Sequence, residues 1–202
     1  MKILYNQQPD HYKHRYCIDI VEMTKTVIFK RFLTVWSRTT KTNGKDVEWD
    51  VVGKPGPELN CVCIFPYNSK DETVVVIREY HQGTDEIKWG LPAGYYEPKK
   101  HDSILDAAKS ELSEECKLKN GTLINLLPNG YSELKWVTNK VVPFLVIDPE
   151  LDESAKALDT EEEISIHTVS IPQLKEMILA GTFTLTSLQT VILALHHLEI
   201  PF

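Results

Sequence analysis

The chain has 202 residues, 42% apolar and 25% charged, with a formal charge of −7, an ordinary globular composition long enough for a substantial core plus a small appendage. No apolar run reaches the roughly 18 residues of a membrane span, and the start MKILYNQQPDHYKHRYC lacks the apolar stretch of a secretion signal. A cytoplasmic protein with no membrane partner is therefore expected. The four cysteines, Cys17, Cys61, Cys63 and Cys116, show neither CxxC nor Cys/His spacing, which excludes a disulfide framework or zinc site as the organising feature.

Charge is uneven along the chain. Residues 1–57 hold ten Lys/Arg against six Asp/Glu, whereas residues 58–202 hold twelve against twenty-three. A basic arm before an acidic body can meet an anionic ligand, dock on an acidic surface, or simply be solvated. No dense basic run is interleaved with aromatics, so nucleic acid is not an expected partner.

In chain order, KTVIFKRFLTVWSRTT and DVEWDVVG are apolar, β-branched runs on either side of KTNGK, and Asn43-Gly44 predicts a hairpin between them. GKPGPE, residues 53–58, then breaks the pattern, which places a boundary between an N-terminal domain, 1–57, and a larger one, 58–202. LNCVCIFPY and ETVVVIREYH read as strands joined by NSKD, with Cys61 and Cys63 on one buried strand face. WGLPAGYYEP follows as a Gly/Pro loop.

A helix comes next. Leu105, Ala108, Leu112 and Cys116 trace one apolar stripe at the 3.6-residue period; Ser103 with Asp106 resembles a capping box, and Asn120-Gly121 supplies a stop. Glu111, Glu114 and Glu115 share a flank of this helix, although like charges at i,i+4 repel by roughly 0.2–0.5 kcal/mol. Read alone, SELSEE is an acidic, solvated helix face. Beside a Gly/Pro loop that brings backbone carbonyls close, it is also the oxygen donor set of a hard divalent cation, which commonly bridges to substrate phosphates. Further strands are expected in GTLINLLPNG, KVVPFLVID and EEEISIHTVS, and helices in IPQLKEMILAG and SLQTVILALHHL. The order points to a mixed α/β sandwich rather than alternating βαβ units.

LPAG followed by a helix bearing ExxEE resembles the Nudix hydrolase box, whose pattern is G, five residues, E, seven residues, then R-E-U-x-E-E-x-G-U with U aliphatic. Gly94 matches its opening glycine, and Glu111, Leu112, Glu114, Glu115 and Leu118 match its end. Ser110 stands in place of Arg, Lys117 in place of Gly, and Asp102 in place of the first Glu if two residues are inserted before it. VVVIREYHQG…KWGLPAGYYEP, LPNGYSE and the final AGTFTLTSLQTVILAL are similar to the ADP-ribose pyrophosphatase branch, so the likeness spans residues 28–195.

The resemblance implies an α/β/α sandwich with a mixed sheet, preceded by a small N-terminal antiparallel β domain that helps build the substrate pocket and often joins a homodimer. It implies Mg²⁺, with Mn²⁺ as a substitute, held by Glu111, Glu115 and the Ala93 carbonyl. Glu114 becomes a further ligand or acid/base partner, and Asp102 an outer group. A base is often taken from the later acidic loop, so Glu161, Glu162 and Glu163 are candidates, with Glu162 chosen as the middle one. Arg78, at the end of a strand, is either a phosphate ligand or a surface ion-pair residue, and His81 occupies a spot that is often basic. Trp49, ahead of Trp36 and Tyr95, is the candidate for stacking on adenine. The implied substrate is a nucleoside diphosphate-linked small molecule such as ADP-ribose. The departures at Ser110 and Lys117 leave open a nucleotide- or protein-binding module without turnover.

Overall fold

The computed structural model describes residues 21–57, 59–132, 134–156 and 163–202. The chain divides into two compact units between Val52 and Gly53, just ahead of the Gly/Pro stretch in which the boundary was expected.

The first unit is an antiparallel sheet of three strands in sequence order, β1 (Val21–Lys30), β2 (Thr34–Thr42) and β3 (Lys45–Gly53). Its β2–β3 turn is the predicted one, with Asn43 and Gly44 both at positive φ, 51° and 75°, as a type I′ turn demands. The first apolar run is not one strand, however. It breaks at Arg31–Leu33, where the Arg31 N–H donates to the Leu33 carbonyl at 2.9 Å, and so yields two strands instead of one.

The second unit carries β4 (Leu59–Asn68), β5 (Thr73–His81), β6 (Glu86–Gly90), β7 (Ala93–Tyr95), helix α1 (Ile104–Cys116), β8 (Leu118–Lys119), β9 (Thr122–Asn125), β10 (Tyr131–Ser132), β11 (Lys140–Ile147), β12 (Glu150–Leu151), β13 (Ile164–Ser170), α2 (Ile171–Leu179) and α3 (Leu185–His197). Its main sheet runs β10-β11-β4-β5-β13, with β9 on β11, β7 on β4 and β6 on β5, while β8 and β12 form a separate ribbon. β11 lies parallel to β4; the other pairings are antiparallel.

Side-chain alternation puts a layer on each face. Val62, Ile64, Val142, Phe144 and Val146 pack with Ala107, Ala108, Leu112 and Cys116 of α1. Their neighbours Cys63, Phe65, Tyr67, Val141 and Leu145 pack with Leu174 of α2 and Val191, Ala194 and Leu195 of α3. Because both faces are covered, β4 and β11 read as near-continuous apolar runs. The result is the expected α/β/α sandwich with a mixed sheet. Pro143 is tolerated inside it because β10 pairs with Lys140–Val141 and β9 only from Phe144 onward. Its carbonyl accepts from Leu126 on that edge, so the missing N–H falls in the interval between the two short strands.

One irregularity positions the site. β4 and β5 pair only beside their turn, at Tyr67↔Val74 and Asn68↔Thr73. Beyond it they part: β4 takes β7 at Cys61–Cys63 and β5 takes β6 at Ile77–His81. The segment expected as a plain loop, WGLPAGYYEP, fills this split with strand at Trp89–Gly90 and again at Ala93–Tyr95, and the Pro92 carbonyl accepts from Ile64 N at 2.9 Å.

Candidate functional site

Helix α1 begins at Ser103, whose side chain accepts from Asp106 N. The expected box is half-formed, since Asp106 Oδ2 accepts from the Asp102 N–H rather than returning to Ser103. The buried side of α1 consists of Ala107, Ala108, Leu112, Glu115 and Cys116, and Leu105, assigned to that stripe from its spacing, is 41% exposed. Burial pushes the Cys116 thiol up, aided by the neighbouring Glu115 charge, so it is a core residue rather than a nucleophile. The helix stops at Lys117, which adopts the left-handed conformation (φ 57°) and returns its N–H to Leu112 and Ser113 carbonyls. Asn120-Gly121, the expected stop, comes later.

This end explains one departure from the box. Lys117 takes the backbone shape for which glycine is the easy choice, so the geometry survives at a cost in strain. Its Nζ donates to the carbonyls of Glu114 and Lys156, at 2.8 and 2.7 Å. The stretch in which two inserted residues would fall forms a tight turn: the N–H groups of Lys100 and His101 both reach the Glu97 carbonyl, and Glu97 N–H donates to buried His101 Nδ1 at 3.1 Å. Asp102 follows this turn and is exposed.

Two of the three glutamates meet the LPAG backbone. Glu115 is only 4% exposed, and its Oε2 accepts from Ala93 N–H at 2.8 Å, the compensation a buried carboxylate needs. Glu111 lies against the next residue so closely that a Cβ on Gly94 would stand 2.0 Å from its Oε1. Gly94 is thus required by the approach of a carboxylate, not by a turn. Glu114 is half-buried, 3.9 Å from the exposed Lys156 ammonium.

Among the described residues no three His, Cys, Asp or Glu side chains converge into a ready-made metal cage. The donor set nevertheless fits magnesium, which needs only one or two carboxylates and completes its octahedron with water and substrate oxygens. Glu111, Glu115 and the Ala93–Gly94 backbone supply oxygen and no soft ligand.

Other expected residues stand on other elements. On β5, Val74 and Val76 face the α2/α3 layer and Ile77 faces α1. By that alternation Arg78 points away from the glutamates, with its guanidinium 5.5 Å from the Trp89 ring centre. His81 shares the α1 side and approaches Glu79 Oε1 at 3.2 Å. Trp49, in the first unit, donates from Nε1 to Thr40 Oγ1 at 2.9 Å and remains 40% exposed, while Lys25 covers Trp36 at 4.3 Å. Glu161 and Glu162 lie outside the described residues, and Glu163 is exposed at the start of β13.

The structure adds a residue that sequence reasoning missed. Lys54 Nζ sits 4.4 Å over Tyr95, the residue after Gly94, and 3.2 Å from Glu97 Oε1. Burial tends to raise the Glu97 pKa, but the Lys54 hydrogen bond and charge, with Lys100, hold the carboxyl below its ordinary range. Buried Asn139 accepts from Lys54 N at 2.9 Å, and a Cβ on Gly53 would strike Thr138 and Asn139. A lysine in GKPGPE carries no local signal of this placement. Its partners lie 43 and 85 residues away.

No match was found among curated protein sequences. A crystal structure described as an ADP compounds hydrolase superposes with a TM-score of 0.72 over 89% of this chain and 94% of that one, at 18% identity; at that identity the likeness establishes the fold. A family model described as NUDIX domain matches residues 57–186. With that match spanning both the LPAG loop and the glutamate helix, the chain belongs to the Nudix family.

Proposed function

We propose that the protein is a Mg²⁺- or Mn²⁺-dependent hydrolase that cleaves the diphosphate of a nucleoside diphosphate linked to another group. ADP-ribose or a related ADP-sugar would give AMP and a sugar phosphate. The observation that carries this reading is the closure of Glu111 and Glu115 on Ala93–Gly94. It is supported by family membership and by the fold shared with an ADP compounds hydrolase.

In this reading Glu111, Glu115 and the Ala93 carbonyl hold the cation. When bound, such an ion offsets diphosphate charge and acidifies a coordinated water. Glu114, or Glu162 from the acidic segment, takes the proton from the attacking water as its oxygen forms the new bond to phosphorus and the bridging P–O bond breaks. Lys54 supplies positive charge beside the metal loop, with Arg78 and His81 as further phosphate contacts and Trp49 as the surface for adenine. Lys54 is preferred over Arg78 for the phosphate because it borders Tyr95, whereas Arg78 is turned to Trp89.

Ser110 favours a second reading, a nucleotide-binding module without turnover, because its hydroxyl cannot form the bidentate carboxylate pair of an arginine. AMP release from ADP-ribose with Mg²⁺ decides between them. We expect turnover by the wild type, its loss in Glu115→Gln, and faster turnover in Ser110→Arg. If wild type and Glu115→Gln are equally inert while ADP-ribose still binds, the hydrolase reading fails and the module stands.

A further inference from the structure

The LPAG segment is gripped from two sides, and only one grip belongs to the glutamates. On the other side lies the start of α3. The Trp89 N–H donates to the Thr182 carbonyl at 3.0 Å and the Trp89 carbonyl accepts from Thr184 N at 2.8 Å. Two residues further, the N–H of buried Leu91 donates to Ser187 Oγ at 2.9 Å.

Ser187 is 3% exposed, and its Oγ also accepts from Thr184 Oγ1 at 2.7 Å. Thr184 is the N-cap residue of α3, yet its side chain makes no cap hydrogen bond to the helix backbone. An N-cap hydroxyl ordinarily satisfies a helix N–H; here it is turned to Ser187. Gly90 fits against this pair, since a Cβ there would lie 3.2 Å from Thr184 Oγ1 and 3.3 Å from Ser187 Oγ. The strap from Trp89 to Gly94 is thus pinned at Leu91 by Ser187, at Pro92 by Ile64 N, and at Ala93 by Glu115.

We propose that Ser187 is a positioning residue for the cation site: through Leu91 it fixes the register of the strap, so that Ala93 and Gly94 present their backbone to Glu115 and Glu111. The inference rests on the reading of Glu111 and Glu115 as metal ligands. Ser187 acts through the backbone that runs from Leu91 to Ala93.

The test is direct Mn²⁺ binding to the full-length protein without substrate, followed by loss of the free-ion paramagnetic resonance signal, alongside thermal unfolding. Ser187→Ala is expected to weaken Mn²⁺ about tenfold, the low end for outer groups of a metal site, and Ser187→Thr, which keeps the hydroxyl, to restore most of it. Thr184→Val, which removes only the donor to Ser187, should weaken binding less. Val191→Ala, a core truncation on the same helix, is expected to lower the melting temperature with no change in Mn²⁺ affinity. The inference is overturned if Ser187→Ala binds Mn²⁺ as the wild type does, or if Val191→Ala weakens it equally. Wild-type protein that binds no Mn²⁺, and matches Glu115→Gln in this, overturns the metal reading itself.

Discussion

Gly94 and Lys117 show two different things a glycine position can mean. At Lys117 the requirement is conformational, and a side chain is accepted at a cost of roughly 1 kcal/mol of left-handed strain because its ammonium gains two carbonyls. At Gly94 the requirement is space. A methyl group there meets the far end of Glu111, a side chain that can swing away, and no backbone is among its nearest contacts. Gly94→Ala is therefore expected to leave the melting temperature nearly unchanged while displacing the Glu111 carboxylate and lowering kcat/KM at least roughly tenfold, about 1.4 kcal/mol of barrier. Paired unfolding and AMP-release measurements check this. A large stability loss with retained turnover would show that the strap, not the glutamate, yields.

Among the elements, the C-terminal end of α1 is tied to the β12 segment by one carboxylate. Asp152 accepts from Ser113 Oγ at 2.7 Å, from Ser154 Oγ at 2.7 Å and N at 3.1 Å, and from Lys119 Nζ at 3.2 Å, while its own N–H donates to the Lys117 carbonyl. The Ser113 and Ser154 hydroxyls, more than Lys119, hold its carboxyl well below the ordinary range. A depressed folded pKa gives stability that is complete above the unfolded value and lost as pH falls through the folded one. Urea midpoints between about pH 2 and 6 should therefore drop toward acid in the wild type. In Asp152→Asn they should be lower near neutrality and flatter in acid, with the residual slope owed in part to Asp148, which Ser69 lowers in the same way. Parallel curves for the two proteins would remove Asp152 from the account. Such elements differ in how legible they are. The strand alternation of NCVCIF and the Ser103 cap follow from local periods and donors. The break at Arg31–Leu33 carries no Gly, Pro or Asn, and a lysine in the left-handed region has no sequence signature, so both escape. Lys54, Asp152 and Ser187 escape for another reason: each acts through partners brought together only by tertiary folding.

At the scale of the molecule, the chemistry and the charge reside in different units. Both apolar clusters, the glutamate helix and its strap all fall within residues 53–202, whereas the net positive excess lies in the N-terminal part. A unit that contains its own core is expected to fold alone. A truncation beginning at Gly53 should then unfold cooperatively and bind Mn²⁺ as the full chain does, because no donor assigned to the cation is lost. Its KM for ADP-ribose should rise, since the truncation lacks Trp49 and the basic excess that would attract an anion. The KM of the full chain should climb with ionic strength, as screening predicts for long-range attraction, and that dependence should flatten in the truncation. An unchanged KM together with an unchanged salt slope would assign substrate recognition to the second unit, with Lys54 as its positive group.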